Sequence, residues 1–127
     1  MVIKTAERTS LKDLAESDAI IVGSPTYYGV MAAPVKKLID ESVDIHGKLE
    51  GKVGAAFTSS GGSATGAETT MISILEAMLV HGMIIQGNPE DKHYGIAVVG
   101  RPIKKDIDQC RKFGRKVAEL ASRLSMD

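Results

Sequence analysis

A short apolar run, then a loop of small residues, then a segment of helical period: this order recurs along the chain and leaves it few ways to fold. Residues 19–23 (AIIVG), 53–57 (VGAAF) and 96–99 (IAVV) are continuously apolar, the pattern of strands buried on both faces of a parallel sheet. Residues 83–85 form a shorter run, and Val2, Ile3 and Lys4 make at most a truncated strand. Helical spacing predicts a short helix over residues 10–16, with Leu11, Leu14 and Ala15 on one face. A second is predicted over residues 33–41, with Val35, Leu38 and Ile39 inward and Pro34 in the first turn, where a missing N–H costs nothing. Thr65 and Glu68 have the spacing of a capping box and open a third, whose apolar face is Met71, Ile72, Leu75, Met78 and Leu79 and whose C′ glycine is Gly82. Pro102 precedes a last helix with the stripe Ile107, Cys110, Phe113, Val117, Leu120 and Leu124. Asp108–Lys112 and Glu119–Arg123 are at ion-pair spacing on it. The expected fold is an α/β parallel sheet covered by helices, and 127 residues suit one domain, 1–127.

Composition removes several classes of function. Sixteen Lys and Arg balance sixteen Asp and Glu, so no net charge favours nucleic acid, an anionic membrane or the basic partners of an acidic electron shuttle. The single cysteine, Cys110, excludes an internal disulfide, and on an apolar stripe it is expected to be buried and inert. No two histidines have metal-ligand spacing, and no Ser-His-Asp or Cys-His arrangement stands out, so neither a metal nor a catalytic residue is expected. No apolar run reaches membrane-spanning length and no signal-peptide pattern opens the chain; the expected compartment is the cytoplasm.

On a parallel sheet, ligands bind beyond the carboxyl ends of the strands. Two loops fall there. Ser24, Pro25, Thr26, Tyr27, Tyr28 and Gly29 hold two of the chain's three tyrosines. A tyrosine supplies a flat face for stacking and a hydroxyl for orientation. The plainer alternative is that one ring packs on the domain and the other is surface. The second loop, residues 58–66, contains Ser59, Ser60, Gly61, Gly62, Ser63 and Ala64; its glycines admit close backbone approach, and its N–H groups and hydroxyls suit an anion or a carbonyl. It is neither a Walker A loop nor a GxGxxG fingerprint, and the plainer alternative is a flexible linker. His81 reads either as a cation at a helix C-terminus or as a donor to a ligand. His93 and Tyr94 precede the last strand within reach of the same edge, and His46 is expected in solvent.

Residues 17–29 (SDAIIVGSPTYYG), residues 57–62 (FTSSGG) with 81–83 (HGM), and residues 93–95 (HYG) with the last helix together resemble the flavodoxin-like, WrbA-type NAD(P)H:quinone oxidoreductases and their short flavodoxin relatives. The resemblance implies a flavodoxin-like three-layer sandwich and non-covalently bound FMN. It also implies electron transfer from NAD(P)H to a quinone or similar acceptor. By that resemblance Thr26, Tyr27 and Tyr28 flank the isoalloxazine, Ser59 to Ala64 form the second ring loop, and His81 stands near the flavin.

The family's usual first strand, phosphate loop and first helix have no counterpart here, so the domain is expected to be incomplete at the N-terminus. In the flavodoxin order 2-1-3-4-5 that strand is central, and its neighbours' buried backbone groups need another partner. The opening segment could pair with residues 19–23, another subunit could contribute a strand, or the product could be an incomplete fragment; a homo-oligomer is expected. A flavodoxin-type electron carrier and a truncated relative that binds no flavin are the alternative readings.

Overall fold

The computed structural model describes residues 1–125. Its centre is a parallel sheet formed by the strands β1 (Ala19–Pro25), β2 (Val53–Ser60), β3 (Ile84–Ile85) and β4 (Ile96–Val99). β1 pairs with one edge of β2, from Ala19 opposite Val53 to Pro25 opposite Ser59. The other edge of β2 is shared: β3 pairs with Val53 and Gly54, and β4 with residues 57–60. The two apolar runs extend further than their composition predicts, because Ser24, Pro25 and residues 58–60 continue the ladder.

Four helices cover the sheet: α1 (Leu11–Glu16), α2 (Ala33–Glu41), α3 (Ala67–Val80) and α4 (Lys104–Leu124). Strand side chains alternate between faces, and two cores follow. On one face Ala56 meets Met71, Ile74, Leu75 and Met78 of α3, with Leu11, Leu14, Ile20 and Val22 packed around them. On the other, Val53 and Ala55 meet Val117 of α4, with Ala19, Phe113 and Leu120 beside them. α3 ends in a Schellman turn: Gly82 has φ 77°, its N–H donates to Leu79 O at 3.0 Å, and the Met83 N–H donates to Met78 O at 3.1 Å.

Several expectations need correction. Val2, Ile3 and Lys4 form no strand and do not pair with β1. Lys4 instead bonds the Asp13 carboxylate at 2.8 Å, which holds that carboxyl down to about 2, and Ser10 with Asp13 makes a reciprocal cap on α1. Thr65 and Glu68 make no capping box, since α3 starts one residue late, on Gly66 in a left-handed conformation, and the Thr65 hydroxyl donates to Gly62 O. The buried stripe of α3 runs through Ile74 rather than Ile72 and Leu79. Cys110 is exposed, and of the α4 stripe only Val117 is buried. α4 therefore leans on the sheet over a short central stretch. Asp108 pairs with Arg111 at 3.9 Å and Lys112 with Glu90 at 3.4 Å, in place of the expected i,i+4 pairs. Among the described residues no helix is long and apolar enough to cross a membrane.

Ile74 is 0% exposed and Leu79 is 60% exposed. Ile74→Ala is expected to cost about 3 kcal/mol through lost burial and a residual cavity, and Leu79→Ala less than about 0.5 kcal/mol. Urea-unfolding midpoints of the two variants check the assignment of the α3 face.

Candidate functional site

Parallel pairing brings β1 and β2 to the same rim, and the two suspected loops leave the sheet side by side. The Thr26 N–H, just past β1, donates to Ser59 O at 2.9 Å. Tyr27 and Val30 then exchange backbone hydrogen bonds of 3.3 and 3.2 Å around Tyr28 (φ 49°) and Gly29 (φ 78°). Positive φ at both central residues makes this a two-residue hairpin of type I′, a turn that favours asparagine and glycine. A tyrosine there is strained by roughly 1–2 kcal/mol. Tyr28 is nonetheless fully exposed, so no packing of its ring offsets that strain. Strained residues of this kind concentrate where ligands are held.

A chain of hydroxyls fixes the floor beneath the hairpin. Thr58 is buried on β2, and its one hydroxyl proton goes to Ser24 O at 2.7 Å. The Thr26 hydroxyl, 2.7 Å from the Thr58 Oγ1, must therefore be the donor in that contact. The buried Ser24 Oγ accepts from the Ala32 N–H and donates to Pro25 O, both at 2.8 Å. Thr26 is left with oxygen lone pairs on the open side.

The second loop turns its backbone donors outward. The amides of Gly61, Gly62, Ser63 and Ala64 donate to no acceptor among the described residues, while Ser60 Oγ and Thr65 Oγ1 both donate to Gly62 O, at 2.9 and 2.8 Å. Ala64 has φ 54°, a second strained position. The loop meets the hairpin at Gly66 (φ 107°), where a Cβ would lie 2.7 Å from Gly29 Cα. Only glycine allows both that conformation and that approach. The arrangement can grip a flat molecule, offering an aromatic face from one loop and N–H donors from the other.

A third segment reaches this rim that sequence reasoning missed. Gly100, directly after β4, donates its N–H to Ser60 O at 2.8 Å and starts the loop containing the exposed Arg101. The signal was available, since every loop at the carboxyl end of a parallel strand is a candidate. His93 and Tyr94 lie before β4 and do not join the rim. His93 instead lines a cavity of about 90 Å³ against Lys112 and Phe113 of α4.

His81 is not brought to these loops within the chain. It caps the C-terminal end of α3, a helix of fourteen residues and thus about 21 Å long, whose N-terminal end carries Gly66. Its Nε2 lies 2.7 Å from Ser42 Oγ, whose own proton goes to Ile39 O at 2.5 Å, so Nε2 carries the proton. The buried Nδ1 has no partner among the described residues. Burial, with the nearby His46 ring 5.6 Å away, holds the His81 imidazole below its ordinary pKa.

The family model for NADPH-dependent FMN reductase matches residues 4–90 of the chain. The chain belongs to the NADPH-dependent FMN reductase family. A protein of Archaeoglobus fulgidus named NAD(P)H dehydrogenase (quinone) is 41% identical over 122 residues, covering 89% of this chain and 64% of its own length. The chain thus spans a little under two thirds of that relative. Among solved structures, a flavodoxin from the domain Archaea superposes with a TM-score of 0.74 at 32% identity, covering 92% of this chain and 74% of that one. A WrbA-like flavodoxin from Agrobacterium tumefaciens gives a TM-score of 0.78 at 25% identity, covering 88% and 71%. The fold is flavodoxin-like, as expected from the alternation of strands and helices. FMN is the flavin of this reductase family, and the rim carries an exposed tyrosine on one loop and four free backbone amides on the other, donor and aromatic groups of the kind a flavin ring uses.

Two outcomes are expected. Thr58→Val removes the bond to Ser24 O and the acceptor for Thr26, and should lower stability by about 1–2 kcal/mol in urea unfolding. His81 is held neutral in the folded chain, so its contribution is complete above the unfolded value of 6.5. Below that pH the unfolded chain takes up a proton that the folded one refuses, and stability falls as pH drops toward the folded value. His81→Gln should flatten this decline when unfolding midpoints at pH 7 and pH 5, both approximate anchors for the window, are compared.

Proposed function

We propose that this chain binds FMN at the joint rim of β1 and β2 and passes electrons from NAD(P)H to a quinone or similar acceptor. The observation that carries the reading is the contact between the two loops, a strained hairpin with an exposed tyrosine against a glycine-rich turn with free amides. Pro25, Thr26, Tyr27, Tyr28 and Gly29 form one wall of the ring site, and Ser59, Ser60, Gly61, Gly62, Ser63 and Ala64 the other. Tyr28 stacks on the ring, the amides of residues 61–64 donate to its polar edge, and Thr26 accepts from it. The flavin supplies the redox chemistry; the protein orients it and sets the field around it. The reductase name of the family and the quinone dehydrogenase name of the Archaeoglobus relative support a substrate site for a pyridine nucleotide. The balanced overall charge supports an enzyme over a carrier that docks on charged partners.

Titration of FMN, followed by quenching of its fluorescence, should show Tyr28→Ala binding about three- to tenfold more weakly, the loss expected for one aromatic stacking contact. His46→Ala, remote from the rim, should bind like the native chain. Equal affinity of native and Tyr28→Ala proteins would remove the hairpin from the site. Anaerobic oxidation of NADPH with a quinone should proceed without a separate reductase; dependence on one would make the protein a carrier.

A further inference from the structure

We propose that the segment joining β4 to α4, centred on Arg101 with Lys104 and Lys105 beside it, receives the 2′-phosphate of the pyridine nucleotide and so makes this chain favour NADPH over NADH. The inference rests on the reading above, in which a pyridine nucleotide delivers electrons at this rim.

Charge is unevenly placed along the rim. Residues 24–32 and 58–67 contain no Lys, Arg, Asp, Glu or His. The third segment holds Arg101, Lys104 and Lys105 close together in the sequence. All three are exposed, and none joins an ion pair among the described residues. Lys36 and Lys37, on α2, are by contrast paired with Asp40 and Glu41. The acids that start at this end of the sheet are Glu68, in the first turn of α3, and Asp106, in the first turn of α4. The Asp106 carboxylate is already engaged, accepting from the Ile103 N–H at 2.9 Å.

The helix that follows does not explain these cations. The N-terminal end of a helix carries the positive end of its dipole and favours acids. α4 nevertheless begins with Lys104 and Lys105, and Arg101 precedes them. Their mutual repulsion and the dipole both oppose this placement, and a bound anion would relieve both. The segment is also fixed to the site. Gly100, at φ 66°, donates its N–H to Ser60 O at 2.8 Å. Pro102 disfavours the helical region for the residue before it, so α4 starts later and Arg101 stays on the loop.

β2 lies between β1 and β4, so the three loops leave the sheet in a row. The hairpin and the glycine-rich loop hold the flavin ring in the reading above. The third segment starts two strand spacings from the hairpin, about 10 Å. A nicotinamide over the ring leaves the adenosine end of the nucleotide to extend beyond it. NADPH and NADH share their pyrophosphate and differ by one phosphate ester on the adenosine ribose. A guanidinium fork takes such a group through two parallel hydrogen bonds. The lysines add point charges that draw the anion in and that salt screens.

The test compares kcat/KM for the two nucleotides, with the FMN-loaded chain reducing a quinone. The native ratio should favour NADPH by at least about tenfold, the effect of one charge-assisted hydrogen-bonded contact. Arg101→Ala should remove most of that ratio by lowering the NADPH value, with the NADH value kept within about twofold. Arg101→Lys should retain part of it, and Lys48→Ala, on the connection before β2 at the opposite end of the sheet, all of it. A native ratio near one, or a ratio unchanged in Arg101→Ala, overturns the inference. A variant that loses affinity for FMN but not for riboflavin overturns it too, since the cations would then hold the flavin's own phosphate. If the native chain oxidises neither nucleotide, the flavin reading fails by itself. Calorimetric titration with adenosine 2′,5′-bisphosphate and 5′-AMP, which needs no electron transfer, then decides. The native chain should bind the bisphosphate about tenfold more tightly and Arg101→Ala should bind both alike; equal binding of the two by the native chain, or binding of neither, overturns the inference.

Discussion

The parallel ladder between β1 and β2 is the constraint on which the remaining structure depends. Its seven pairs, from Ala19–Val53 to Pro25–Ser59, bring both strands to the rim at the same height. A slip of one residue would exchange the two faces of β1, sending Ile20 and Val22 out of the α3 core and Ser24 away from the Ala32 amide. With the register held, Thr58 lies beneath the hairpin and Gly66 lies against Gly29. The candidate site is therefore a consequence of strand pairing more than of either loop alone.

Polar groups near the rim follow a consistent division. Ser24, Thr58 and Thr70 are buried, and each is hydrogen-bonded to a backbone group of the surrounding loops or strand ends; the Thr70 hydroxyl, for example, donates to Gly66 O at 2.8 Å. Above this floor, the Tyr28 ring and the amides of residues 61–64 make no such commitments. A satisfied layer below and an unsatisfied layer above is the arrangement expected of a preorganised binding surface, because the fixed layer is ordered before a ligand arrives. His81 stands outside this division: its unpaired Nδ1 is buried at the far end of α3, where it influences stability with pH rather than the rim.

Much of the fold was legible in residue order. The bounds of α2 and β4 follow directly from apolar spacing, and Gly82 reads correctly as the residue after α3 because only a left-handed residue closes a Schellman turn there. The two loops were legible as candidates because small residues and tyrosines cluster after apolar runs. The errors share a cause. Thr65 has cap spacing, but the approach of Gly66 to Gly29 moves the start of α3 and turns the Thr65 hydroxyl to Gly62. Cys110 has stripe spacing, but α4 meets too little of the sheet to bury it.

By itself, the order of residues determined which segments become strands and helices and which loops are rich in hydrogen-bonding and stacking groups. These properties depend on period and on neighbours a few residues away. Only the tertiary structure decided that the two loops touch, that His81 lies a helix length from them, and that one edge of β1 with Ile21 and Phe57 stays uncovered. Those outcomes depend on contacts between residues more than thirty positions apart, as between Ser24 and Thr58 or between Gly29 and Gly66. A local pattern states which side chains can be buried. The partner that arrives across the sheet decides which ones are.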